Sequence, residues 1–303
     1  MLTFFTMRRA RETIETYLTD WSPDLRDCVR VVDYESLGRA GRLEPGTYVF
    51  CDQERWTRWQ HYLAVRLWKQ LAARGLAFVL LNDPRRILSR YRLLRTLFEN
   101  GSNVFNVYRP HELLWRRPRY PVFLHSSGGH EGALSVLLSR KAALLFPFVK
   151  RMLRHPRREV VIEEFCETAD ERGNYGKFGT FHLDGQILFR HFHYGKAWSL
   201  KDTEILDEEV LRKNRCYLEK SPHRKELAAI FALAGVDFGR IDYSLCGERV
   251  QVWEINTNPY IISPREDCLP GEAEQAEFFS RQMRAELLRL SARHAAGDAM
   301  AYR

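Results

Sequence analysis

The sequence predicts an α/β (α+β) protein in which a small parallel α/β domain precedes a larger unit of mainly antiparallel strands. Strand and helix patterns alternate as far as Tyr108, and beyond it strand pairs are joined by the tight turns Asp184-Gly185 and Cys246-Gly247-Glu248. With 45% hydrophobic against 28% charged residues, the 303-residue chain can bury enough apolar surface to offset its ordering entropy, which excludes a disordered protein.

In chain order, Val29–Asp33 and Tyr48–Cys51 read as short buried strands, the second introduced by the turn signal Pro45-Gly46. From Glu54 to Ala73 the apolar residues Trp56, Trp59, Leu63, Leu67 and Leu71 recur at helical spacing, so this stretch is expected as a helix stopped by Gly75, with Trp56 and Trp59 in the core. Ala77–Leu81 is a continuous apolar strand. Asp83 and Pro84 are placed to cap and open a second helix running to Asn100, with its arginines mostly outside. Val104–Tyr108 is expected to close a parallel sheet, which puts a first domain at residues 1–109.

The second domain, 110–303, is expected to have two lobes, 110–185 and 186–303. Tyr120–His125 reads as a strand entering the loop Ser126–Gly132, followed by a helix over Ala133–Leu145 and a basic linker through 150–158. Val160–Phe165, Lys177–Leu183 and Gln186–His193 read as strands, and His191 and His193 share one face by alternation. A helix over Arg224–Ala234, strands at Gly239–Leu245 and Arg249–Ile255, and a closing helix over Gly271–His294 complete the pattern.

Lys and Arg total 47 against 39 Asp and Glu, and the net charge of +8 favours an anionic partner. No apolar run reaches the roughly 18 residues of a membrane span, so no membrane partner is expected. The six cysteines are scattered, without a Cys-x-x-Cys pair, and no secretory leader pattern is present; reduced thiols and a cytoplasmic location are the expectation. A nucleic-acid partner is not expected, because the basic segments carry no aromatic platforms and no known module.

Chemistry concentrates in Gly239-Arg240-Ile241-Asp242, a hairpin, and Trp253-Glu254-Ile255-Asn256-Thr257-Asn258-Pro259. Glu254 and Asn256 are two apart on one strand and share a face, and the hairpin can bring Asp242 alongside them. Two carboxylates and an amide oxygen form a hard oxygen site suited to Mg²⁺ with phosphate oxygens and water, and Arg240 shares the same face. Polar strand ends satisfied by turns and water are the plain alternative.

Arg-x-Asp followed a dozen residues later by Glu-x-Asn-Thr-x-Pro resembles the metal-binding end of the ATP-grasp ligases, the superfamily of D-alanine–D-alanine ligase, glutathione synthetase and ribosomal-protein glutamate ligases. The resemblance implies an ATP-grasp fold behind an N-terminal parallel α/β domain, with ATP and Mg²⁺ as cofactors. It implies Asp242, Glu254 and Asn256 as metal ligands and Arg240 as the catalytic residue at the transferring phosphoryl group. By the same resemblance, Glu164, Phe165 and Cys166 would face adenine, Asp170 or Glu171 the ribose, and Lys177 a phosphate or the adenine side. The implied reaction activates a small-molecule or peptide carboxylate as an acyl phosphate and couples it to an amine or similar nucleophile. A kinase-like phosphotransferase and a catalytically silent nucleotide-binding scaffold are the alternatives, and dimers are common among such ligases.

Two positions depart from the family pattern. His125 stands where the family usually has a Lys, so His125, Lys177 or Lys201 must supply that charge, or nucleotide binding is weakened. Tyr260-Ile261-Ile262 replaces the Gly that often follows the motif, next to the second substrate.

Overall fold

The computed structural model describes residues 1–37, 43–126, 128, 132–144, 160–268 and 271–300, with backbone alone at 144 and 294–300. Its first sheet is parallel. Strands β1 (Leu2–Thr6), β2 (Val29–Asp33), β3 (Gly46–Phe50) and β4 (Phe78–Leu81) lie in the order β2-β1-β3-β4, with β1, a strand the sequence reading passed over, at the centre. The short helix α1 (Glu12–Thr16) follows β1, and α2 (Arg58–Ala72) packs beside β4.

Helix α2 begins at a capping box in which Gln60 N donates to Thr57 Oγ1 at 3.2 Å and Thr57 N donates to Gln60 Oε1 at 2.9 Å. The buried stripe differs from the expected one. Ala64, Trp68 and Leu71 face the sheet, while Trp59 and Leu63, expected inside, are exposed. The next helix, α3 (Arg90–Glu99), also begins later than expected, because Ser89 accepts from Arg92 N and caps it. Asp83 accepts from Arg85 N at 3.0 Å and from the Arg85 side chain, capping only the turn at 84–86, and Arg90 and Arg95 are buried rather than outward.

Strand β5 (Val107–Tyr108) does not close the parallel sheet. It pairs antiparallel with β7 (Val160–Glu164), which also pairs with β6 (Val122–Ser126) in a second sheet ordered β5-β7-β6. The expected helix over Ala133–Leu145 shrinks to α4 (Arg140–Leu144). The segment before it spends its backbone bonds on β6, with Leu134 N donating to Leu124 O and Leu138 N to Val122 O, each at 2.7 Å. The basic run 150–158 lies outside the described residues.

The third sheet, β11-β10-β8-β9, is antiparallel: β8 (Tyr175–Leu183), β9 (Gln186–Gly195), β10 (Phe238–Cys246) and β11 (Arg249–Asn256). Its left-handed Asp184 and Gly185 make the expected β8–β9 turn. Helices α5 (Glu208–Lys220), capped by Asp207, and α6 (Arg224–Ala234) cover one face, where Phe178 and Thr180 meet Tyr217. On the other face, Phe181 and Phe238 join a core shared with Phe4 of β1 and with Phe279, Met283 and Leu287 of α7 (Ala273–Met300). Asn82 ties the two units: its Oδ1 accepts from Asp237 N at 2.8 Å and Phe238 N at 2.9 Å, and its Nδ2 donates to Phe50 O and Phe238 O.

Candidate active site

A cavity of about 320 Å³ opens between the second and third sheets. One wall is aromatic: Phe123 of β6, Phe165 after β7, and Trp198, whose ring centroid lies 4.9 Å from that of Phe123 and 5.9 Å from that of Phe165. The other is charged and belongs to the third sheet, from which Lys177, Arg240, Asp242 and Glu254 reach the space.

Register builds the charged wall. Asp242 on β10 is paired with Glu254 on β11 and with Gly179 on β8, and Gly179 is paired with His191 on β9, so these residues form one row across the sheet. Arg240, two residues before Asp242, folds back on it, with Nε donating to Oδ1 at 2.8 Å and Nη2 to Oδ2 at 3.3 Å. Lys177 Nζ lies 3.9 Å from Asp242 Oδ2 and donates to Lys201 O at 3.3 Å. Burial pushes the Asp242 carboxyl up, but Arg240 and Lys177 outweigh it and hold it below its ordinary value. Burial lowers the Lys177 ammonium, with Asp242 opposing. On the same face, the His191 and His193 rings lie 3.9 Å apart. Burial, with the neighbouring cations adding to it, pushes His191 well below its ordinary value and His193 down to about 3.

The predicted ligand Asn256 sits opposite Arg240, off the cavity wall, and its Oδ1 accepts from Asn258 N at 2.8 Å. An amide oxygen keeps a second lone pair, so this bond does not exhaust it. The first domain grips the turn that follows: Thr257 Oγ1 donates to Glu54 Oε2 at 2.6 Å and accepts from Gln53 N at 3.0 Å, and Asn258 Nδ2 donates to Asp52 Oδ2 at 2.9 Å.

Several expected contacts move. Glu164 faces away from the cavity: it accepts from Tyr108 OH at 2.8 Å, Arg119 N at 2.8 Å and Asn106 N at 3.1 Å, and so fastens the second sheet to its flanks. The acid facing the cavity is Glu163, as strand alternation requires, since it pairs with Phe123 and its Oε1 lies 3.1 Å from His125 Nδ1. His125 therefore reaches the cavity as one half of a buried pair. Phe165, Cys166, Lys177 and Lys201 all line the space. Asp170 and Glu171 are exposed and do not; Asp170 instead accepts from Arg172 N, Asn174 N and Tyr194 OH, closing its own turn.

Besides Glu163, two further contributors escaped sequence reading. Arg90, at the start of α3, is buried, donates to Ser126 O and ion-pairs with Glu254. It is the first residue of a helix that Ser89 caps. Trp198 was legible only as an aromatic residue in a polar turn.

A D-alanine–D-alanine ligase from Bacillus anthracis has a structure similar to the chain over 98% of both molecules, at 13% identity and a TM-score of 0.55. Its complex with ATP is similar over 96% of both, at 12% identity and a TM-score of 0.56. The chain has the ATP-grasp fold. An L-amino acid ligase from Bacillus licheniformis is similar in structure to this chain at 14% identity and a TM-score of 0.51, over 87% of this chain and 69% of that one. No protein-family model and no curated protein matches the sequence.

The donor chemistry of the charged wall suits a hard cation. Among the described residues no three His, Cys, Asp or Glu side chains converge as a ready metal cage. Two carboxylates face each other, each already paired with an arginine. Mg²⁺ commonly takes one or two carboxylates and completes its shell with phosphate oxygens and water.

Proposed function

We propose that the chain is an ATP- and Mg²⁺-dependent ligase that activates a carboxylate as an acyl phosphate and couples it to an amine or similar nucleophile, releasing ADP and phosphate. The observation that carries this reading is the Asp242–Glu254 cross-strand pair with Arg240 beside it, at the charged wall of a cavity whose facing wall is aromatic.

In this reading the nucleobase lies among Phe123, Phe165 and Trp198, and the phosphates extend toward Lys177 and Arg240. Asp242 and Glu254 would hold Mg²⁺, with Asn256 next to them on the strand, and the ion when bound would supply charge neutralisation for the phosphates. A carboxylate oxygen of the substrate attacks the γ-phosphorus, the bond to the β–γ bridging oxygen breaks, and ADP leaves. The amine nitrogen then attacks the acyl carbon, the carbon–oxygen bond to phosphate breaks, and the amine proton passes to solvent. Arg240 stabilises the charge that builds on the transferring group, and the enclosing sheets limit water that would hydrolyse the acyl phosphate.

Product analysis tests the proposal. Incubation with ATP, Mg²⁺ and a panel of carboxylates and amines should release ADP and inorganic phosphate together, and Glu254→Gln should abolish both. Phosphate retained on the acceptor would instead identify a phosphotransferase, and nucleotide binding without turnover on any substrate would identify a scaffold.

A further inference from the structure

The row Glu254–Asp242–Gly179–His191 continues past the phosphate end of the site onto β9. His191 is 8% exposed, and its Nε2 is buried with no hydrogen-bond partner. That atom lies over Gly179, where a Cβ would stand 2.4 Å from it, so the glycine leaves room for the ring to lean across the sheet toward β10. A β-bulge between Gly179 and Thr180 leaves Arg190 without a cross-strand partner. Its Nε donates to Ile261 O at 3.2 Å and its guanidinium covers the Phe279 ring, while no described residue hydrogen-bonds its terminal nitrogens. Lys177, Arg190 and Arg240 all act on the imidazole, while Asp242 is paired with Arg240 and Glu272 acts on Arg190, so the cations near the ring outnumber the acids.

An orphaned buried nitrogen amid surplus positive charge is costly unless something accepts from it and balances the charge. We infer that His191, Arg190 and Arg240 form an anchor for a second carboxylate on the acid that the enzyme activates, so that the substrate class is a dicarboxylic acid. This inference rests on the ligase reading above. The planar guanidinium of Arg190 suits a planar carboxylate, Arg240, whose Nε and Nη2 hold Asp242, adds its charge, and the anchor sits beside the Ile261 segment, away from the aromatic wall.

The test is calorimetric titration of succinate, glutarate and adipate, and of butyrate as a monocarboxylate, into protein saturated with Mg·ADP. At least one diacid should bind about tenfold more tightly than butyrate. His191→Phe, which keeps the ring volume and removes the nitrogens, should erase that preference, and His191→Gln should retain part of it. Mg·ADP affinity should be unchanged in both variants, which also reports that they fold. Equal binding of butyrate and all three diacids, or a preference that survives His191→Phe, overturns the inference while the nucleotide site stands. Failure of the wild-type protein to bind Mg·ADP overturns the ligase reading and this inference together.

Discussion

Asp242 shows how a single side chain is prepared for its role. Burial raises its pKa, yet Arg240 and Lys177 hold it below its ordinary value, so in the proposed site it would offer a carboxylate to a cation. Asp242→Asn and Glu254→Gln should each lower Mg²⁺-dependent ADP formation by about a hundredfold or more with unchanged circular dichroism. Wild-type rates in both would sink the assignment. Asp52 carries the opposite preparation: fully buried beneath the Asn258 turn, its carboxyl is pushed up to about 6 by burial and then by the charge of Glu54. A group whose native pKa is raised stabilises the fold fully below its unfolded value near 3.9 and loses that contribution as pH rises through its folded value. Stability should therefore decline between about pH 4 and pH 6, by at most about 3 kcal/mol from this group. Asp52→Asn should flatten that slope in urea unfolding series, and identical slopes in the two proteins would refute the account.

At the scale of elements, helix starts decide which side chains reach the site. Thr57 and Ser89 set the first turns of α2 and α3, and each delays its helix relative to the apolar periodicity. Trp59 is exposed in α2, and Arg90, the first residue of α3, is buried against Glu254. Ser89→Ala should cost about 1 kcal/mol by removing the acceptor for Arg92 N, read as a lower urea midpoint with an unchanged slope. The strands were the more legible elements. Arg240, Asp242 and Glu254 could be put on one face because alternation is strict and the connecting hairpin is short. Glu163 and Glu164 were not separable in the same way: adjacent acids occupy opposite faces, and the choice depends on pairing with Phe123 of β6.

For the molecule as a whole, charge balance predicts how ligands act. The charged wall pairs Asp242 with Arg240 and Glu254 with Arg90, and Lys177 adds a further cation, so a bare divalent ion meets no net negative charge there. Mg²⁺ alone should leave the melting temperature unchanged. Mg·ADP at a hundredfold excess over its dissociation constant should stabilise the protein by about 2.7 kcal/mol. A shift with Mg²⁺ alone, or none with Mg·ADP, would contradict the proposed site.

Local pattern was sufficient for the β8–β9 and β10–β11 hairpins, the β8–β9 turn and the Arg-x-Asp, Glu-x-Asn face, because alternation and tight turns act over a few residues, whereas the β8–β10 pairing that joins the hairpins into one sheet across the expected lobe boundary at 185 was not read. Long-range packing decided the rest. β5 left the parallel sheet for β7, the last helix came to rest on the first strands, and residues 52–54 closed over the Thr257-Asn258 turn. In each case the partner lies far away in sequence. Its hydrogen bonds and buried apolar surface enter the balance only once the chain has folded, where they override the preference of any single segment.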